Sequence, residues 1–260
     1  LEARLRFIAH LVESGLRVLH EDDHLACVFK PAGIHTKRGS NPKFPALEDA
    51  APALLSPSGC DGRLTRPIAM HRLDVRVSGL VLFAKSRAAA LSLARQFEGR
   101  LLSKRYEALL VGCPPVGDDG RLHIREPVDG LDSSTRLELI AVTPHVQWGE
   151  LARVALWPET GRTHQLRVHC ASLGTPIVGD DLYWDAAVEA RSSASAPPLP
   201  SVRRGDGLYL QACGVRFEGA DGATISLEEP AAQRFANLEE RASRGAAYRE
   251  SDESTSIVKE

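Results

Sequence analysis

The chain has 260 residues, 43% of them hydrophobic and 25% charged, which excludes a disordered or fibrous protein and allows one or two domains with a substantial core. No apolar run reaches the roughly 18 residues of a membrane span, so no membrane association is expected. The formal charge of -2 conceals a split: residues 61–107 carry ten basic and four acidic side chains, a net +6, whereas residues 218–260 carry five basic and ten acidic, a net -5. The basic stretch can face a polyanion while the C-terminus offsets it in the total, and it fits equally well with cations spread over a solvated face.

In chain order, Leu5, Ile8, Ala9 and Val12 stand at helical spacing before Gly15, which predicts an N-terminal helix within residues 1–15. Residues 16–20 and 25–30 predict a hairpin around Glu21-Asp22-Asp23, followed by the turn Lys30-Pro31-Ala32-Gly33. Residues 41–66, rich in Pro, Gly and Ser, predict loops with one short helix. The apolar run 80–84 predicts a buried strand, and Ser86 an N-cap for a helix with Leu91, Ala94 and Phe97 along one side and Gly99 at its end.

Residues 104–111, 136–142 and 151–157 read as strands. Thr163 predicts the cap of a helix running to Leu173, with Leu166, Cys170 and Leu173 as its stripe and Gly174 as its stop. Residues 186–207, with Ser-Ser-Ala-Ser-Ala-Pro-Pro-Leu-Pro, predict an inserted flexible loop, because such a composition buries no core. Residues 208–227 resume as strands, and the polar residues beyond 241 predict a weakly packed tail. The main domain is thus expected over 16–230 and an acidic tail over 231–260.

Five widely spaced cysteines form no C-x-x-C pair, so neither a disulfide framework nor a zinc knuckle is expected. A reducing compartment (cytoplasm, nucleus or organelle matrix) fits them best.

Three segments carry chemistry. In His71-Arg72-Leu73-Asp74-Val75-Arg76-Val77-Ser78-Gly79-Leu80 an acid lies between two arginines at the entry to an apolar strand. Nearby positive charge holds such a carboxylate ionised, ready to act as nucleophile or base; the same arrangement also fits a structural ion pair. In Lys104-Arg105-Tyr106-Glu107-Ala108 an aromatic ring beside cations suits an unpaired base and its phosphate, and suits a half-buried core position as well. In Thr160-Gly161-Arg162-Thr163-His164-Gln165-Leu166-Arg167-Val168-His169 a glycine turn meets a helix N-terminus, where N–H groups and Arg162 suit an anion and Arg167 can reach inward to a carboxylate. The two histidines are five residues apart, not the four of a helical zinc pair, so no metal site is expected.

These segments, in this order, together with Gly174-Thr175-Pro176-Ile177-Val178-Gly179-Asp180 and the early Lys30-Pro31-Ala32-Gly33, resemble the RluA-type pseudouridine synthases over about residues 16–230. The resemblance implies an α+β pseudouridine synthase catalytic fold, a mostly antiparallel mixed sheet with flanking helices and loops. It implies isomerisation of uridines in RNA with Asp74 as the essential catalyst, Tyr106 stacking on the uracil and helping to move the C5 proton, and Arg167 pairing with Asp74. Arg72 matches a position associated with RNA contact and base extrusion, and Arg76, Lys104, Arg105, Arg162 and His164 complete the expected RNA-binding set. No redox, metal or nucleotide cofactor and no obligatory protein partner is implied.

Val77 departs from the family pattern, which has Thr before Ser-Gly, and it leaves room for an RNA-binding scaffold without activity. A nucleoside hydrolase breaks the same first bond, but no motif supplies its second carboxylate.

Overall fold

The computed structural model describes residues 2–39, 45–192, 199, 207–219 and 221–257. It divides into two compact units that interleave along the chain: Leu1–Arg105 with Gln211–Pro230, and Tyr106–Leu210 with Ala231–Glu260.

The first unit opens with helix α1 (Glu2–Glu13), strands β1 (Arg17–Glu21) and β2 (Leu25–Lys30), and helix α2 (Leu47–Leu54), against which α1 packs. Among the described side chains of α1, Leu11 is fully buried, whereas Val12, expected in the stripe, is 51% exposed. The β1–β2 turn is set by Asp22, whose Oδ1 accepts from the backbone N–H groups of His24 (2.6 Å) and Leu25 (2.8 Å). Strands β3 (Arg63–Ala69) and β4 (Ser78–Ser86) and helix α3 (Arg87–Glu98) follow. Ser86 caps α3 as expected, its Oγ accepting from the N–H of Ala89 at 3.2 Å. The buried side of α3 is Ala89, Leu93 and Gln96; of the expected stripe, Leu91 is exposed, whereas Phe97 packs partly buried against the same core.

Strands β9 (Leu210–Glu218) and β10 (Thr224–Glu228) complete this unit, in which β2 pairs antiparallel with β1 and β4, and β10 with β9. The N-terminal end of β4 pairs parallel with β9, which makes the sheet mixed. Alternate residues Leu25, Cys27 and Phe29 of β2, Leu80, Leu82 and Ala84 of β4, and Val215 and Phe217 of β9 form one apolar layer beneath Ala89 and Leu93. At Gly79, where φ is +127°, an added Cβ would lie 2.2 Å from the carbonyl oxygen of Ala212, so the parallel contact needs glycine.

The second unit takes β5 (Ser103–Val111) from Tyr106 onward, then β6 (Arg121–Ile124), β7 (Thr135–His145) and β8 (Gly149–Pro158), paired antiparallel in the order β5-β8-β7-β6. Helix α4 (Gln165–Ser172) packs on β8 and on α5 (Trp184–Ser192). Residues 186–192, expected as the start of an insertion, therefore belong to a helix; residues 193–198 and 200–206 of that expectation lie outside the described residues.

Residues expected as a loose tail form helix α6 (Gln233–Ile257), which packs on β7. Phe235 is fully buried, and Glu239 accepts from Arg153 Nε at 2.9 Å while the same guanidinium lies 3.5 Å from Glu107. Among the described side chains, Phe235, Ala242 and the arginine shared with Glu239 hold a helix whose polar composition hides it. The whole is an α+β fold with a mostly antiparallel mixed sheet and flanking helices.

Candidate active site

Asp74 sits in the loop between β3 and β4, and the sequence around it explains how the loop is held. Thr36, buried at 2% exposure, grips Leu73 from both sides: its Oγ1 donates to the Leu73 carbonyl and accepts from the Leu73 N–H, each at 3.0 Å. The N–H of Gly33 donates to the carbonyl of Val75 at 2.7 Å, and the N–H of Val77 closes a turn on the carbonyl of Asp74 at 3.1 Å. Val77 is itself buried, so the missing threonine hydroxyl leaves apolar packing in its place.

Lys30 completes the clamp. Its side chain is fully buried, and Nζ lies 3.0 Å from the carbonyls of Pro31 and Ile34 and 3.4 Å from that of Val75. Burial pushes its pKa down to about 7, while the Asp74 charge pulls it upward. The ammonium form has a donor for each of the three carbonyls, whereas the neutral amine, which burial favours from about pH 7 upward, has two.

On the other side of the motif, His71 Nε2 accepts from the N–H of Leu82 at 3.1 Å, which places the ring proton on Nδ1. Burial, then the charges of Lys104 and Lys37, push its pKa down to about 3, so it is a neutral brace. The Phe97 ring lies 5.5 Å from His71 and carries Lys104 Nζ 5.8 Å from its centroid; burial lowers the Lys104 pKa. Lys104 thus emerges as a partly buried cation on an aromatic ring. Of the other expected RNA contacts in this unit, Arg72 is exposed and Arg76 and Arg105 are half-buried.

In the second unit, Tyr106 is 8% exposed in β5, opposite Leu156 of β8. The Gly-Arg-Thr-His-Gln-Leu-Arg segment forms the entry to α4, and Gln165 staples it. Its Oε1 accepts from Thr160 Oγ1 (2.6 Å) and the Arg162 N–H (3.1 Å), and its Nε2 donates to the Ser134 carbonyl and Thr135 Oγ1, both at 2.9 Å. Thr135 in turn lies 2.9 Å from His169 Nδ1, whose Nε2 lies 2.9 Å from the Glu126 carbonyl. The carbonyl demands an N–H, so His169 is protonated on Nε2 and accepts from Thr135; burial lowers its pKa in keeping with that neutral state. Gln165 and His169 are thus structural members of the motif, and the Arg162 N–H that suited an anion is held by Gln165. The Arg162 side chain donates through Nε to the Asp132 carbonyl at 3.1 Å.

Thr163 does not cap α4. His164 holds that position with left-handed backbone, φ 55° and ψ 17°, a conformation that costs of order 1 kcal/mol in a non-glycine residue. Arg167 is 4% exposed and forms two parallel hydrogen bonds, Nε and Nη2 each 2.7 Å from an Asp180 oxygen. The expected pairing of Arg167 is with Asp74, which belongs to the other unit; Asp180 is the partner its own unit supplies. Asp180 and the nearby Tyr183 are members of the site that sequence reasoning left without a role, although Gly179-Asp180 ended a motif quoted for the resemblance.

A cavity of about 410 Å³ between the β7–β8 turn and α6, lined by His145, Trp148, Val178, Tyr209 and Arg241 among others, contains none of the expected site residues. Among the described residues no helix is long and apolar enough to cross a membrane.

A profile of the family described as RNA pseudouridylate synthase matches residues 24–172, which include Asp74, Tyr106 and Arg167. Ribosomal large subunit pseudouridine synthase C of Vibrio vulnificus is 33% identical over 215 residues, 77% of this chain and 60% of that protein. The dual-specificity RNA pseudouridine synthase RluA of Haemophilus influenzae is 34% identical over 185 residues, 66% of this chain and 78% of that protein. The chain therefore spans about 60% of the length of the Vibrio relative. Among solved structures, human RNA pseudouridylate synthase domain containing 1 superposes with a TM-score of 0.59 at 25% identity, covering 84% of each chain. Human RNA pseudouridylate synthase domain containing 4 gives 0.67 at 23% identity, covering 93% of this chain and 97% of that one, a likeness of fold. By its braced Asp74 loop, its Gln165-stapled helix entry and these relatives, the chain belongs to the RluA-type RNA pseudouridylate synthase family.

Proposed function

We propose that the protein converts uridines of an RNA to pseudouridine, with Asp74 as the catalytic carboxylate. The observation that carries this reading is the Asp74 loop, held by Lys30, Gly33 and Thr36 at the backbone of residues 73 and 75, so that the carboxylate is presented from a fixed backbone. Such rigidity suits a reaction in which uracil is detached at N1, turned while bound, rejoined to the sugar through C5 and then relieved of its C5 proton. Asp74 serves by attack at C1′ or C6, or by removing the C2′ proton.

In this reading Tyr106 stacks on the uracil and assists the proton transfer, and Arg167, aligned by Asp180, pairs with Asp74. Arg72, Arg76, Lys104, Arg105, Arg162 and His164 hold the RNA. Extruding the target base from its stack costs a few kcal/mol, so loops and distorted stems are the favoured substrates. The name of the Vibrio relative points to ribosomal RNA as the first substrate to try, with transfer and messenger RNA next. In this reading the protein works in a reducing compartment (cytoplasm, nucleus or organelle matrix), the setting that five widely spaced cysteines without a C-x-x-C pair fit best.

The test is tritium release from RNA labelled at uracil C5. The protein is expected to release tritium and Asp74→Asn to release none, because an amide is neither nucleophile nor base at neutral pH. Equal release by both proteins contradicts the assignment, and RNA binding without release by either one leaves a scaffold.

A further inference from the structure

The cavity between the β7–β8 turn and α6 is built from the second unit alone, and the proposed chemistry does not use it. Its aromatic wall is held by the turn itself. His145 Nδ1 accepts from the backbone N–H groups of Gln147 and Trp148, each at 3.2 Å, which places the ring proton on Nε2. The neutral imidazole, its pKa lowered by burial, stacks on the Trp148 indole with centroids 4.1 Å apart and planes at 10°. Tyr209 supplies further wall, its own ring 4.6 Å from the Arg234 guanidinium, while Arg241 stands exposed at the rim. Gly245, whose added Cβ would lie 3.5 Å from Val146 Cγ2, puts no side chain between helix and turn.

This cavity is separate from the place expected for the uracil. Glu107 and Glu239 of α6 share Arg153, so α6 covers the sheet face to which Glu107 points, and Tyr106, its neighbour along β5, points to the other. Trp148 also lies eight residues from Leu156, the residue opposite Tyr106, which is about 25 Å along β8.

We infer that the cavity binds one unpaired nucleotide of the RNA outside the target uridine, its base on the Trp148–His145 stack and its phosphate on Arg241. A volume of about 410 Å³ falls in the range of small-ligand pockets, roughly 300–1,000 Å³. A fixed aromatic platform beside a cation is the arrangement that holds single-stranded nucleic acid, since every base has a face to stack. Arg241 is the one cation among the lining residues given a charged form here, and it matches the single charge of a phosphodiester; a nucleoside triphosphate calls for several cations or a row of N–H groups. The inference rests on the RNA-modifying function proposed above and gives the RNA a second point of contact.

Trp148 reports on the site directly. A short oligoadenylate, which has no uridine to isomerise, is expected to quench the fluorescence of the wild-type protein more than that of Trp148→Phe, which keeps a ring against His145 and removes the indole. Arg241→Ala, at an exposed position, is expected to weaken oligoadenylate binding roughly fivefold and to make its salt dependence shallower by roughly 0.7 in slope, the share of one phosphate on a single strand. Its kcat for tritium release is expected to stay within about twofold of wild type. Equal quenching in wild type and Trp148→Phe, or an unchanged affinity and slope in Arg241→Ala, overturns the inference. Adenosine monophosphate that quenches Trp148 at concentrations as low as the oligoadenylate does assigns the cavity to a free nucleotide and overturns the RNA assignment. Wild-type protein that shows the Trp148 quenching but releases no tritium from RNA labelled at uracil C5 defeats the functional reading alone, since the quenching is measured without turnover.

Discussion

Lys30 shows how a buried charge serves a site it does not touch chemically. A lysine that is fully buried loses hydration, and here three carbonyls and the nearby Asp74 replace it. Its folded pKa of about 7 lies below the ordinary 10.5, so from about pH 7 upward the folded protein has given up a proton that the unfolded chain still binds. Stability then rises with pH, at most about 1.4 kcal/mol per pH unit for one proton. Cys27 works against this above about pH 9, because burial pushes its thiol up to about 12 and the unfolded thiol ionises first. Between pH 7 and 9, urea unfolding is expected to show wild-type stability increasing relative to Lys30→Met; parallel curves for the two proteins contradict the assignment.

At the scale of elements, the parallel contact of β4 with β9 depends on Gly79. Alanine there places a methyl group against the Ala212 backbone in a conformation that side chains rarely adopt. Gly79→Ala is expected to lose more than about 3 kcal/mol in urea unfolding, or to fail to fold, whereas a loss under about 1 kcal/mol contradicts the close approach.

The same strand is plainly legible from sequence, as are β2, β5, β8 and the Ser86 cap, because long apolar runs between turn residues leave few alternatives. Strand β3 escapes because Arg63-Leu64-Thr65-Arg66-Pro67 looks like a loop; it is half-exposed and pairs on one side only among the described strands. Helix α6 is hidden by its polarity, since Phe235, Ala242 and the Arg153–Glu239 pair fix it at few points. In the site, residue types announce Asp74 and Arg167. Asp180 and Tyr183 escape because their importance lies in contacts made across a turn from a separate segment, which spacing along the chain does not reveal.

For the whole molecule, a net charge of -2 averages opposite regions. If the +6 stretch of residues 61–107 neutralises RNA phosphates, removing the charges of Arg72 and Arg76 together weakens RNA binding and makes its salt dependence shallower, by roughly 0.7 to 0.9 in slope for each phosphate left without its cation. Removing residues 251–260 is expected to leave that slope unchanged. A slope unaltered in the double arginine variant contradicts the placement of RNA on this stretch.

The interleaving of the two units bears on how the protein is made. Until the residues beyond 210 have left the ribosome, the first unit lacks the strands β9 and β10, and the second lacks α6. The β4 edge around Gly79 must wait for a partner more than 130 residues downstream. Neither unit can therefore close before that point, and both close over the same following stretch of chain, residues 211–257. A nascent chain of this kind depends on protection of its exposed strands for longer than one whose domains emerge in sequence.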